Sequence, residues 1–399
     1  MTATFDRLDR LAPGFAELTV TGAFGGVVAR PGLGLRDREL VTIAALCALG
    51  RDRQLGVHLD YALALGARRE ELTEVLVQMA VYAWWPAAVS GLDVLSGVLA
   101  GRRDGCYDLG DAVVTVISDG HADMPLATFA AGLDDEVSAA VELVYGPGER
   151  LFPVALNSLV IERDGMLIVV DPGAGLSDAP SSHGLVPPSE GHFLRSFAAA
   201  GFDANDVGLV LLSHGHHDHA GCLAASVAPF ANARVAISET EFVHWRDHGD
   251  FGEAAVPDVV AAGCREIGRE FTSAVADRVI WTHDGQLVAP GVRAIDAPGH
   301  TPGRTAFAVE GSHQTMLLGG DFAGHEEISL RYPNSHHAAD YNPAQAIASR
   351  RRLLRHATET GALVHGFHFT RPGIGRIKAY GEGWRFRPVA SDPSYGQPR

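Results

Sequence analysis

The sequence predicts two domains of different class, an all-α domain over residues 1–103 followed by an α/β domain over residues 104–399. Three observations carry that expectation. At 399 residues the chain exceeds what one hydrophobic core usually supports. Residues 1–103 read as Ala- and Leu-rich segments punctuated by Gly and Pro. After Gly101-Arg102-Arg103-Asp104-Gly105 the texture changes to short β-branched runs alternating with turns and helices.

In the first domain the pattern predicts a helix over 36–49 stopped by Gly50, a second over 52–65 stopped by Gly66, a third over 69–85 stopped by Pro86, and a last one running to about residue 100. In the second domain, strands are expected over 112–118, 155–161, 166–171, 208–212, 234–237, 278–281, 292–295, 305–309 and 315–318. Residues 220–225 can open a helix. Segments 122–150 and 322–341 are long for simple connections, so they are expected to supply a lid, with Phe129, Phe322 and Tyr332 as candidate pocket-lining aromatics.

Composition bounds the function. A hydrophobic fraction of 46% with 20% charged residues is that of a soluble globular protein. A formal charge of −16 argues against wrapping phosphate backbones, and no nucleic-acid partner is expected. Arg350-Arg351-Arg352, the one dense basic run, reads as a solvated helix face. The most apolar stretch, 75–100, contains Gln78, Pro86, Ser90 and Asp93, so it reads as buried helices, with no membrane partner expected. Cys47, Cys106, Cys222 and Cys264 lack paired spacing, and the first residues lack a basic segment before an apolar core. A cytoplasmic location follows as the expectation.

Residues 214–219 read His-Gly-His-His-Asp-His, four potential metal ligands at the end of the apolar run 208–212. Imidazoles suit zinc and an adjacent carboxylate can hold a second divalent ion, so two metals could share one water and make it a nucleophile near neutral pH. His217 occupies a spacer position. Such a site needs further ligands at strand ends. Pro298-Gly299-His300-Thr301-Pro302-Gly303 follows one strand, Gly319-Gly320-Asp321 ends another, and His365-Gly366-Phe367-His368 offers a last histidine.

This order of motifs resembles the metallo-β-lactamase superfamily, and Phe367-His368-Phe369 before Arg371-Pro372-Gly373-Ile374-Gly375 resembles the tail of its methyl parathion hydrolase and lactonase branch. The resemblance implies a four-layer αβ/βα sandwich with the metals at one edge of the sheets. It implies His214, His216 and His300 on one ion, Asp218, His219 and His368 on the other, and Asp321 bridging, with Asp171 buttressing the metal loop from behind. His365 competes with His368 for the last position, and the tail favours His368. The expected cofactors are two divalent ions, zinc first, with manganese or iron as alternatives. The expected reaction is lactone opening, with Asp218 and Asp321 at the reacting centre; another ester, a β-lactam or an organophosphate would use the same machinery, and a single iron would instead give oxidative chemistry.

The first domain carries Arg36-Asp37-Arg38-Glu39, Leu55-Gly56-Val57-His58, Glu70-Glu71-Leu72 and Trp84-Trp85-Pro86, and over nearly its whole length it resembles the carboxymuconolactone decarboxylase family. Redox-active relatives place Cys-x-x-Cys where Arg51-x-x-Gln54 stands here, which turns the expectation away from a peroxidase. If the substrate is a carboxylated butenolide, Arg51 could stabilise the dienolate left by decarboxylation and His58, oriented by Glu39, could reprotonate it. The other reading is a structural Glu39–Arg51 ion pair with His58 packed beside it, in a module that builds homo-oligomers. A small-molecule substrate is expected either way.

Overall fold

The computed structural model of the protein describes residues 26–27, 30–65, 67, 69–102, 105–146, 148, 150–176, 179–224 and 229–390. Two units, Met1–Gly101 and Arg102–Arg399, divide the chain. The expected boundary at residues 103–104 and the helix stop at Gly66 lie outside the described residues.

The first unit contains helices α1 (Leu35–Ala48), α2 (Asp52–Ala64), α3 (Arg69–Tyr82) and α4 (Trp84–Arg102). Helix α1 buries Glu39, Ile43 and Cys47, whose four-residue spacing turns one face inward. Leu55, Leu59, Leu72, Leu76 and Leu95 are buried on the other three helices. Helix α3 ends at Tyr82 rather than at residue 85, because Trp84 turns the chain with a φ of 71°. Pro86 is therefore not a terminator. It lies in the first turn of α4, where a missing backbone N–H costs no helical bond.

The second unit opens with β1 (Cys106–Asp108) and β2 (Ala112–Pro125), then α5 (Asp135–Tyr145), β3 (Leu151–Arg163), β4 (Met166–Val170), α6 (Phe193–Ala199) and β5 (Val207–Leu211). It continues with α7 (His217–Ala220), β6 (Arg234–Ser238), α8 (Glu239–Val243), α9 (Asp258–Val275) and β7 (Val279–Thr282). These seven strands form one sheet in chain order, antiparallel from β1 to β4 and parallel from β4 to β7.

A second seven-stranded sheet takes β8 (Leu287–Ala289), β9 (Val292–Asp296), β10 (Thr305–Glu310), β11 (Thr315–Leu318), β12 (Leu363–His365), β13 (Ile374–Tyr380) and β14 (Gly383–Pro388). Its β11–β12 pair is parallel and the other pairs are antiparallel. Between β11 and β12 the chain forms α10 (Ile328–Arg331) and α11 (Pro343–Thr360).

Period-two alternation sorts the strand side chains into layers. Along β5, Leu209 and Leu211 enter a central core shared with Phe307, Val309 and Met316 of the second sheet. The intervening Val210 faces Phe193, Phe197, Ile267 and Phe271 of α6 and α9. On the second sheet, Ala306, Ala308 and Leu317 face Leu353, Leu354 and Ala357 of α11. The result is the four-layer αβ/βα sandwich.

Three local expectations change. Strands β2 and β3 stay paired out to Pro125↔Leu151, so the front of the expected 122–150 lid is sheet, and the remainder holds a short turn at Leu126–Thr128 and α5. The helix behind the His-rich loop starts at His217, inside the motif. Arg350 is not solvated: it is 3% exposed and donates to the Ser335 carbonyl, because α11 packs this residue inward. All four cysteines are buried and free. Among the described residues no helix is long and apolar enough to cross a membrane.

Candidate metal centre

Buried strands end in tight loops and aim polar side chains at one point. After β5, His216 stands at the N-cap position of the short helix α7, which places Asp218 and His219 in its first turn. His300 sits in the turn between β9 and β10. Asp321 follows β11 after Gly320, whose φ of 52° favours a residue without Cβ. His368 follows β12.

These side chains form two groups of donor atoms, each within 4.8 Å of one another, namely His214, His216, His300 and Asp321, and Asp218, His219, Asp321 and His368. Asp321 belongs to both. In the first, His216 Nδ1 stands 3.0 Å from His214 Nε2 and 3.0 Å from His300 Nε2. In the second, Asp321 Oδ1 is 3.1 Å from His219 Nε2, and His368 Nε2 is 3.2 Å from Asp321 Oδ2 and 3.5 Å from Asp218 Oδ2. His365, the competitor, ends β12 in a separate buried place, where burial pushes its pKa down to about 3.

The groups behind the cluster fix its rings. Asp171 accepts from Ser213 N–H and Oγ–H at 2.7 Å each and from His219 Nδ1 at 2.9 Å, in the buttressing place expected for it. Two further carboxylates were not singled out by sequence reasoning. Asp340 Oδ1 accepts from His300 Nδ1 at 2.7 Å. Glu241 accepts from Gly215 N, Trp245 Nε1, Thr301 Oγ and Gly303 N at 2.6–2.9 Å, tying the His214–His216 loop to the His300 turn. Such partners orient ligands and set ring tautomers. Arg304 is a buried cation bonded to the carbonyls of Ala297 and Gly319, just before Asp321.

The electrostatics fit divalent cations. Burial, followed by neighbouring imidazoles, lowers the pKa of His214 and His216 well below the usual value, leaving the lone pairs a metal needs. Burial also pulls on His219, but Asp321, Asp218 and Asp171 outweigh it and raise its pKa well above the usual value. His300 is raised to about 9, since hydrogen bonds to Asp321 and Asp340 overcome its burial. His219 Nε2 and Asp321 Oδ1 are buried and, although 3.1 Å apart, are not aligned for a hydrogen bond with each other or with any other group. Converging imidazole and carboxylate atoms left orphaned in this way fit a divalent metal site.

A cavity of about 200 Å³ opens on the cluster, walled by Met124, Phe251, Val256, Pro257 and Val260 on its apolar side. His217 and Cys264 also line it, their Nδ1 and Sγ 3.8 Å apart. None of the three candidate aromatics lines this cavity, although Phe322 lines a smaller one beside His300 and Asp321. Phe129 packs with Leu156 and Phe367, Phe322 with α11, and Tyr332 with Leu126 and Ile328. Phe251, stacked on His216 at 5.5 Å, takes the wall position instead.

In the helical unit, Glu39 Oε2 accepts from His58 Nδ1 at 2.7 Å. Glu39 is buried and His58 half-buried. Arg51 lies exposed at the N-cap of α2, and no ion pair joins it to Glu39 among the described residues. The alternative Glu39–Arg51 pair is thus replaced by a Glu39–His58 pair, because Arg51 precedes the helix that carries His58 inward.

Residues 13–96 match the carboxymuconolactone decarboxylase family and residues 151–365 the metallo-beta-lactamase superfamily. The 4-carboxymuconolactone decarboxylase of Acinetobacter baylyi is 40% identical over 76 residues, 19% of this chain and 57% of that protein. A protein of Mycobacterium tuberculosis named a probable metallo-hydrolase is 31% identical over 193 residues, 43% of this chain and 58% of that protein. The chain thus spans less than two thirds of the length of these curated relatives. Among solved structures, a dizinc quorum-quenching lactonase, AidC, in complex with the product N-hexanoyl-L-homoserine superposes with a TM-score of 0.65 at 23% identity, covering 72% of this chain and 99% of that one. The hydrolase AbOPH, described as in the beta lactamase superfamily, gives 0.62 at 23% identity, covering 72% and 98%. Both likenesses describe the fold.

Proposed function

Because the chain belongs to the metallo-beta-lactamase superfamily, with a carboxymuconolactone decarboxylase family domain at its N-terminal end, we propose that it is a metal-dependent hydrolase that opens a lactone ring. The observation that carries this reading is the pair of ligand groups joined through Asp321 beside a cavity with an apolar wall. His214, His216 and His300 would hold one divalent ion and Asp218, His219 and His368 another, with Asp321 common to both. Zinc in this reading, the ions would supply a water made nucleophilic near neutral pH and a Lewis acid for the carbonyl.

The chain's own side chains do the remaining work. Asp171, Glu241 and Asp340 hold the imidazoles in place, which keeps the site preorganised before substrate arrives. Phe251, Val256, Pro257 and Val260 exclude water and accept an uncharged, apolar ring substituent. The water oxygen bonds to the ring carbonyl carbon as the ring C–O bond breaks, and the proton the water loses passes to the Asp321 carboxylate and from it to the departing oxygen. The similar fold of a lactonase holding a ring-opened product supports a lactone over a β-lactam or phosphotriester.

For the helical domain we propose two roles. The Glu39–His58 hydrogen bond suits a His that is held by a carboxylate while its other nitrogen delivers a proton to a dienolate, which supports decarboxylation of a carboxymuconolactone. Exposed Val81, Tyr82, Trp84 and Trp85 support assembly into a homo-oligomer. A bifunctional chain would then run decarboxylation and ring-opening as consecutive steps.

The test is a substrate panel on zinc-loaded protein. Lactones are opened by the wild-type protein, His216→Ala abolishes opening while sparing decarboxylation, and His58→Ala does the reverse. A protein that ignores every lactone yet cleaves phosphotriesters overturns the lactone reading.

A further inference from the structure

His217, the spacer of the His-rich run, has no part in the reading so far. It belongs to neither ligand group, yet its ring lines the cavity beside Asp218 and Cys264. Its side chain is 20% exposed, against 0% for His214 and His219 and 1% for His368. Of these four rings it is the open one.

The two nitrogens of that ring have different settings. Nδ1 meets Cys264 Sγ at 3.8 Å, on the helix α9 that also brings Val260 to the wall. Nε2 makes no hydrogen bond among the described residues and is not enclosed. The carboxylate oxygen beside it, Glu190 Oε2, stands 3.8 Å away, too far for a hydrogen bond, and is itself buried and unpartnered. Oxygen lone pairs at that distance favour an N–H over a lone pair on Nε2, and the Cys264 thiol can then donate to the bare Nδ1.

The rest of the cavity limits what such a donor meets. Its wall of Met124, Phe251, Val256, Pro257 and Val260 is apolar, and among the described residues no Lys or Arg lines it. A charged substituent would lose its water there without gaining a cation. A neutral substituent with an oxygen acceptor loses less, provided a donor stands within reach of the wall.

We propose that His217 is a specificity-determining residue, whose Nε2–H binds a neutral oxygen acceptor on the substituent of the lactone ring. The inference rests on the lactone reading and deepens it, from lactones at large to those whose apolar substituent carries an uncharged carbonyl oxygen. His217 gives up no proton and stays off the reacting atoms, so it selects the substrate rather than driving the step.

The test uses the zinc-loaded full chain and matched γ-butyrolactones carrying acetyl or isopropyl at the α or the γ carbon. The two groups have similar shape, and only acetyl has the oxygen. Comparing each variant with the wild type on the same pair cancels the intrinsic reactivity of the ring. At wild-type zinc content, His217→Leu is expected to lose about 10-fold more kcat/KM on the acetyl member than on the isopropyl member of at least one pair, mainly through KM. His217→Gln, whose amide N–H falls near the Nε2 position, is expected to recover most of that difference.

Equal losses on both members of both pairs overturn the proposal and leave the lactone reading standing. Zinc loss in both variants does the same, as does a Gln variant no better than Leu on the acetyl lactones. If the wild type with full zinc opens none of the four lactones, the lactone reading and the role of His217 fall together.

Discussion

Glu241 shows how a single side chain can decide a site without touching its contents. In sequence it stands in Ser238-Glu239-Thr240-Glu241, the pattern of a helix-capping box, and Ser238 Oγ does accept from Glu241 N–H at 3.1 Å. Its carboxylate turns the other way, into the metal loops. Glu241→Ala leaves the backbone donors of Gly215 and Gly303 without partners in a buried place. Zinc affinity should fall by about 10- to 100-fold, read by competition with a chromophoric chelator; unchanged affinity would show that the loops hold themselves. His214, His216, Asp218, His219, His300, Asp321 and His368 were legible because chemistry limits which residue types can serve at such spacing. Glu241 and Asp340 were not, since their partners lie far along the chain: Glu241 bonds Gly303, and Asp340 bonds His300.

At the scale of elements, most strands and helices were legible from periodicity, and their ends were not. Trp84 ends α3 by adopting a φ of 71°, which no hydrophobic pattern announces. Packing also sets which small residues matter. Gly91 lets α4 approach α1 and α3, since a Cβ there would meet Cys47 Sγ and Leu76 Cδ2 at 2.9 Å. Gly91→Val should cost about 1–3 kcal/mol through overpacking, despite the gain in helix stiffness, measured by denaturant unfolding of the full chain. A stability equal to wild type would mean the helices yield there. Arg350 belongs to the same scale: a triple-Arg run looks solvated in sequence, but the helix face it falls on is decided by what α11 packs against.

Across the whole molecule, the helical unit exposes large apolar side chains that a solvated surface does not favour. Val81, Tyr82, Trp84 and Trp85 are each more than 70% exposed. If a second copy of the chain covers them, light scattering should give an oligomer for the wild type and a monomer for the double substitution Val81→Glu with Trp85→Glu. A monomeric wild type at micromolar concentration would remove the assembly role. By itself the sequence determined the two-domain division of texture, the fold class and the metal-binding residue types, because periodicity and ligand chemistry are local properties. Only the tertiary structure decided which carboxylates hold the imidazoles and which aromatic walls the cavity. Those depend on where distant segments meet, and burial acts on that meeting rather than on any stretch of sequence.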